Sequence, residues 1–265
     1  MKFGFLGVGN MAAAIMKGMC LGKSFDNADV LGYNRTASKV EKLSEQYGLT
    51  TCYSVKELME NSDVVVLSVK PQVLPDVMPE VKELLREGQL VISIAAGKEI
   101  SYLQENLGAD THVVRVMPNV NAQALMSTSC FTCSENVTDE EKEVVKTMFG
   151  EVGSIVEIEE HQFAVFTAVG CASPAFTYIY IDALARAGVK WGLPKDVALE
   201  IAASSVLGSA KMVMESDKHP FGLMDEVCSP GGTTIEGVCQ LQDNNFMSTV
   251  EKAVSAVIEK DMSLK

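Results

Sequence analysis

Lys2-Phe3-Gly4-Phe5-Leu6-Gly7-Val8-Gly9-Asn10-Met11-Ala12, continuing as an alanine-rich run to Gly18, opens the chain. A short apolar strand runs into G-x-G-x-x-A and then into a helix, the context in which this pattern reads as a dinucleotide fingerprint. Gly7 makes the tight turn, Gly9 lets the backbone approach a pyrophosphate, and Ala12 lets the helix pack closely on the strand. The pyrophosphate then lies over the helix N-terminus, where free amides and the helix dipole favour an anion. Leu6, Gly7, Val8, Gly9, Asn10 and Met11 are the expected contacts.

The end of the second strand selects the cofactor. A site for NAD places an Asp or Glu roughly 20 residues beyond the glycines to bind the ribose 2′-hydroxyl. Here Val30-Leu31-Gly32-Tyr33 runs into Asn34-Arg35-Thr36, with Lys39 shortly after, and no carboxylate stands at the strand tip. A guanidinium and an ammonium pair with a 2′-phosphate, which Asn34 and Thr36 are placed to hydrogen-bond. NADP(H) is the expected cofactor, with NAD(H) the alternative.

From residue 1 to 158 short apolar runs alternate with helix-periodic segments, which implies a mostly parallel sheet with helices on both faces, a Rossmann-type α/β domain. Strands are expected at Lys2 to Leu6, Ala28 to Tyr33, Asp63 to Val69, Leu90 to Ile94, His112 to Met117, Ser127 to Cys133 and Ser154 to Ile158. Ligands of such sheets bind at the carboxyl ends of the strands. Three further strand ends fit that rim: Ser68-Val69-Lys70, with Pro71 in the first turn of a following helix; Ala95-Ala96-Gly97, small enough for a nicotinamide ribose to lie on the backbone; and Pro118-Asn119. Ser68, Val69, Lys70, Pro71, Ala95, Ala96 and Gly97 join the cofactor set, and Asn119 the substrate-binding set.

Residues 159–265 carry no further strand signal and read as an all-α domain, with helices at Phe163 to Ala187, Lys195 to Glu215, Phe221 to Cys228, Thr233 to Asp243 and Phe246 to Lys260. The first is apolar around most of its circumference, so it should be buried nearly all round. About one hundred residues cannot bury it alone, which predicts a second subunit. Within this domain Ser229-Pro230-Gly231-Gly232-Thr233-Thr234-Ile235-Glu236-Gly237 combines a Ser-Pro turn, two glycines, two hydroxyls and the Thr233-to-Glu236 spacing of a capping box. Such a loop presents amides at a helix start and suits a small anion.

Composition narrows the classes. The 22 Lys and Arg against 35 Asp and Glu give a net charge of −13, which disfavours nucleic acid as a partner and leaves anionic ligands to local devices. The first residues are expected to be a strand of the fold rather than a signal peptide, and no apolar run is expected to reach the length that spans a bilayer, so a cytoplasmic protein without a membrane is expected. Seven scattered cysteines argue against a disulfide framework, and Cys130-Phe131-Thr132-Cys133 reads as buried small residues with no metal. His112, His161 and His219 read as structural or solvated.

The fingerprint, Asn34-Arg35-Thr36, Val69-Lys70-Pro71-Gln72, Ala95-Ala96-Gly97, Arg115-Val116-Met117-Pro118-Asn119, His219-Pro220 and Ser229-Pro230-Gly231-Gly232-Thr233-Thr234 occur in an order that resembles the pyrroline-5-carboxylate reductases. The resemblance spans essentially the whole chain. It implies an NADP-binding Rossmann domain and a helical substrate-binding and dimerisation domain that intertwines in a homodimer, further assembled in many cases into a ring of dimers. The implied reaction is the NADPH-dependent reduction of 1-pyrroline-5-carboxylate to L-proline, the last step of proline biosynthesis. Two segments depart from the family pattern. Met117-Pro118-Asn119-Val120-Asn121-Ala122 stands for Met-Pro-Asn-Thr-Pro-Ala, and Gly170-Cys171-Ala172-Ser173-Pro174-Ala175-Phe176 for Ser-Gly-Ser-Gly-Pro-Ala-Tyr.

The residues suit that chemistry. The substrate carboxylate is assigned to the amides of Gly231, Gly232 and Thr233 with help from the Ser229 hydroxyl, and Thr234 to the ring nitrogen, a role the resemblance gives to the same threonine. Hydroxyacid dehydrogenases of similar plan use a lysine on the first long helix of the second domain. None lies between Phe163 and Ala187, and a basic imine nitrogen needs less help. Reduction of another cyclic imine or of a small oxo or hydroxy acid is the rival reading. A non-enzymatic NADP-binding regulatory protein is the third, opposed by the intact hydroxyl loop.

Overall fold

The computed structural model describes residues 1–263. By its internal contacts the chain forms two compact units, one of Met1–Cys171 joined by the chain from Asp261 on, the other of Ala172–Lys260.

The first unit is built on one sheet of eight strands: β1 (Phe3–Leu6), β2 (Val30–Tyr33), β3 (Thr50–Cys52), β4 (Val64–Leu67), β5 (Leu90–Ser93), β6 (Val113–Met117), β7 (Ser127–Cys133) and β8 (Gly153–Glu157). They lie in the order β3-β2-β1-β4-β5-β6-β7-β8, parallel at every step except β6 to β7. Every residue of β1, β4 and β5 is buried, as expected of central parallel strands covered on both faces. Alternation divides them between two cores. Phe3, Phe5, Val64 and Val66 pack toward α1 (Asn10–Leu21) and α2 (Ser38–Tyr47), while Leu6, Val65 and Leu67 pack toward α3 (Val55–Glu60), α4 (Leu74–Leu84) and α5 (Ile100–Leu107). The helix α6 (Asp139–Gly150) returns to the first face, placing Val145 and Phe149 in that core behind a full Thr138–Glu141 capping box.

Several expectations change in detail. Strand β3 had no sequence signal because it is a three-residue edge strand of two threonines and a cysteine, held on one side only. The sequence pattern puts a helix at Thr36 to Tyr47; the α2 helix starts at Ser38, and the Thr36 carbonyl accepts from the Asn34 side chain at 3.1 Å. Pro71 lies outside α4. It occupies a turn in which the Val73 amide bonds the Lys70 carbonyl at 2.8 Å, and the helix begins at Leu74 with Pro75 in its first turn.

The long helix expected from Phe163 to Ala187 is broken into α7 (Phe163–Phe166), a π-helical segment Thr167–Ala172 and α8 (Ser173–Lys190). Pro174 has no N–H to give the carbonyl of Gly170, its partner in an α-helix. That carbonyl accepts instead from the Asn119 Nδ2 at 2.9 Å.

The second unit holds α8, α9 (Lys195–Glu215), α10 (Pro220–Val227), α11 (Thr233–Asp243) and α12 (Phe246–Met262) as far as Lys260. Among the described residues its one buried apolar cluster is three alanines, Ala185, Ala198 and Ala202, while Ile179 is 71% and Leu207 63% exposed. A helix expected to be buried nearly all round is thus largely bare within one chain. The same helices correct the expectation about membrane-length segments: 160–190 and 195–215 are both long and apolar enough to cross a bilayer, each with mean hydropathy 1.4.

Candidate functional site

The carboxyl ends of β2, β1, β4 and β5 lie side by side, and they bring the expected cofactor residues of the first unit to one rim. Gly7 there has φ +97°, and a Cβ on it would stand 2.7 Å from the Val69 side chain, so both the turn and the packing demand glycine. Its amide donates to the Tyr33 carbonyl at 2.8 Å, and the Ser68 hydroxyl donates to the Gly7 carbonyl at 2.6 Å. Gly9 differs. It takes the N-cap position of α1 with no side-chain cap, and a Cβ built on it would meet nothing within 4 Å. The fold itself does not need a glycine there, and the open space over uncapped amides is the cradle a pyrophosphate fits.

Arg35, Thr36 and Lys39 are exposed, and the Lys39 amide bonds the Thr36 carbonyl at 3.2 Å, which sets all three on one turn. Among the described residues neither cation enters an ion pair, and no carboxylate occupies the first turn of α1. Lys70, Ala96 and Gly97 are exposed on the same rim, Gly97 with φ +71°.

Three residues expected to touch ligands have their polar groups engaged inside the protein. The Asn34 Oδ1 accepts from the Val8 amide at 3.1 Å while its Nδ2 serves Thr36, so Asn34 braces the glycine turn. Ser68 is held to Gly7 as above. Asn119 is 4% exposed: its Nδ2 serves Gly170, and its Oδ1 accepts from the amides of Asn121 at 3.1 Å and Thr128 at 3.3 Å. It works as a buried strut backed by Ser127 and Ser129, whose hydroxyls are 3.1 Å apart. The Cys171 thiol, pushed up to about 11 by burial, donates to the Pro118 carbonyl at 3.8 Å. The two segments that depart from the family pattern therefore pack on each other.

In the second unit, Ser229-Pro230-Gly231-Gly232 is a type II turn: Pro230 precedes Gly231 at φ +67°, and the Gly232 amide donates to the Ser229 carbonyl at 2.9 Å. A Cβ on Gly232 would lie 2.4 Å from the Ser229 Oγ. This turn corrects the expected capping box. Gly232 becomes the N-cap of α11, Thr233 and Thr234 its first two residues, and no side chain caps the helix. The Gly232 amide closes the turn and is no longer a donor, which leaves the Gly231 amide and the first-turn amides beginning at Thr233. Thr234 is exposed beside them, and the Glu236 carboxylate in the same turn offsets part of the helix dipole.

The remaining titratable candidates are structural. His112 pairs with Glu141 at 2.8 Å, His161 with Glu159 at 3.1 Å, and the His219 Nδ1 accepts the Phe221 amide at the start of α10. Burial raises the Cys130 thiol to about 12 and the Cys133 thiol to about 11, leaving no thiolate near neutral pH. One strong feature escaped the sequence reading. Arg115, 3% exposed, pairs with Glu160 at 2.9 Å and lies over the Phe163 ring, and the same Glu160 oxygen accepts the first amide of α5. Only a contact across 45 residues reveals it.

Residues 160–264 match the family described as pyrroline-5-carboxylate reductase dimerisation, and residues 2–97 match NADP oxidoreductase, coenzyme F420-dependent. A pyrroline-5-carboxylate reductase of Glycine max is 38% identical over 98% of this chain and 95% of its own length. The structure of a pyrroline-5-carboxylate reductase from Coxiella burnetii superposes with a TM-score of 0.95 at 30% identity, covering 100% of this chain and 98% of that one. That of pyrroline carboxylate reductase from Plasmodium falciparum, with NADP bound, gives 0.87 at 31% identity, covering 99% and 97%. The chain belongs to the pyrroline-5-carboxylate reductase family.

Proposed function

We propose that this protein is an NADPH-dependent reductase of 1-pyrroline-5-carboxylate that forms L-proline, acting in the cytoplasm as a homodimer or a larger ring of dimers, without nucleic acid or membrane as partner. The observation that carries the reading is the Ser229–Gly232 turn, which delivers an uncapped helix N-terminus with a free hydroxyl beside it, the fittings for a carboxylate next to a ring nitrogen. Arg35 and Lys39 would hold the 2′-phosphate, and the α1 amides under Gly9 the pyrophosphate. NADPH supplies the hydride.

In this reading the α11 amides from Thr233 onward, with the Ser229 hydroxyl, bind the substrate carboxylate and fix the ring in one orientation. A large share of such catalysis is positioning. As the C=N π bond breaks and a C–H bond forms at the imine carbon, the electron pair moves to nitrogen, which carries or receives a proton. Thr234 hydrogen-bonds that nitrogen throughout. An imine nitrogen is basic enough to arrive protonated, which fits the absence of lysine between Phe163 and Ala187; Lys190 stands at the far end of α8. The bare face of the second unit fits a dimer, which sizing at micromolar concentration would detect as a mass at least twice that of the chain; a monomer would refute it.

The test of the substrate is NADPH oxidation with 1-pyrroline-5-carboxylate, with piperideine carboxylate and with a panel of oxo acids. The first should turn over with the highest kcat/KM. Turnover of another alone would replace this reading with the rival one.

A further inference from the structure

Tyr53 is an exposed aromatic residue of the first unit with no part in its core. It directly follows Cys52, whose register partner on β2 is Tyr33, so it stands at the rim beside Asn34 and Arg35. Its backbone is pinned: the Tyr53 amide donates to a Glu57 carboxylate oxygen at 2.7 Å, and the Glu57 amide to the Ser54 hydroxyl at 3.0 Å. Its side chain is free. The residue is 66% exposed, and among the described residues its ring meets no other ring and its hydroxyl no partner. An aromatic ring held out from a rigid backbone, next to two unpaired cations, provides a flat apolar face beside a phosphate-binding turn. That combination fits a purine nucleotide better than a phosphate alone, because every base has a π-face to stack while the cations take the charge.

We infer that Tyr53 is the stacking platform for the adenine of a 2′-phosphorylated adenine nucleotide, with Arg35 and Lys39 holding the phosphate. The inference rests on the NADPH reading and adds a residue that sets affinity for the nucleoside end, away from the hydride. Its consequence is a division of labour: Tyr53 contributes to any adenine nucleotide, and Arg35 only to those bearing a 2′-phosphate.

The test is calorimetric binding of two fragments, adenosine 2′,5′-bisphosphate and adenosine 5′-phosphate, to the full-length protein. Tyr53→Ala should weaken both by the same factor of about tenfold, and Tyr53→Phe should bind as the native protein does. Arg35→Ala should weaken the bisphosphate alone. Tyr53→Leu, which keeps apolar bulk without an aromatic face, should match Tyr53→Ala and decides the matter if the alanine variant is poorly folded. Unchanged binding by the alanine and leucine variants, with Arg35→Ala still selective, overturns the role of Tyr53 and leaves the cofactor reading standing. Failure of the native protein to bind the bisphosphate removes the cofactor reading itself, and this inference with it.

Discussion

Replacing Thr234 by alanine should lower kcat for 1-pyrroline-5-carboxylate by at least about tenfold, the loss of one polar interaction of about 1.4 kcal/mol in the transition state. The position makes the prediction specific. Thr234 is the second residue of α11, exposed, and neither its hydroxyl nor its side chain supports the turn, which is closed by Ser229 and Gly232. Removing the hydroxyl therefore leaves the amides that hold the carboxylate in place, so KM should move less than kcat. Thr234→Ser, which restores the hydroxyl, should recover most of the rate. Steady-state kinetics of the two variants check this; a Thr234→Ala enzyme with native kcat would remove Thr234 from the mechanism.

Arg35→Ala should raise the KM for NADPH by up to about tenfold and leave that for NADH within about twofold. A hydrogen bond to a charged group contributes about 1.5–3 kcal/mol, and an exposed pair in salt falls at or below the lower end of that range. The loss should shrink as ionic strength rises, because the missing interaction is a screened one. Equal weakening of both cofactors would refute the 2′-phosphate assignment. Lys39, on the same turn, retains part of the preference in this variant, so a residual bias toward NADPH is expected.

Most of the fold was legible because its determinants are local. Apolar runs such as Val64-Val65-Val66-Leu67, and the glycine turn after β1, carry their structure in their own spacing. What escaped depends on contacts between residues far apart in the chain. The π segment at Thr167–Ala172 contains the Gly170 carbonyl, which Pro174 cannot serve and the Asn119 side chain takes in a bond across 51 residues. Strand β3 is defined by its pairing with β2 rather than by composition.

The same division holds for the candidate site. Gly7, Gly9 and Arg35 read correctly as to place because strand, turn and helix are consecutive there. Asn34, Ser68 and Asn119 also stand at strand ends, but they brace the turns that present other groups, and only their partners reveal it. At the loop of the second unit the Ser-Pro-Gly-Gly turn was plain in the residues. Its outcome was not: closing the turn consumes the Gly232 amide and makes Gly232 the N-cap, so α11 starts at Thr233 as expected but without the capping box.

The central claim is hydride delivery to an imine carbon, and one measurement follows it directly. The native protein is supplied with 1-pyrroline-5-carboxylate and NADPH carrying deuterium at the transferable position, and the product is analysed by mass spectrometry and NMR. L-Proline with a single deuteron on the carbon that was doubly bonded to nitrogen is the predicted result; NADPH left unconsumed, or proline without that label, would contradict it.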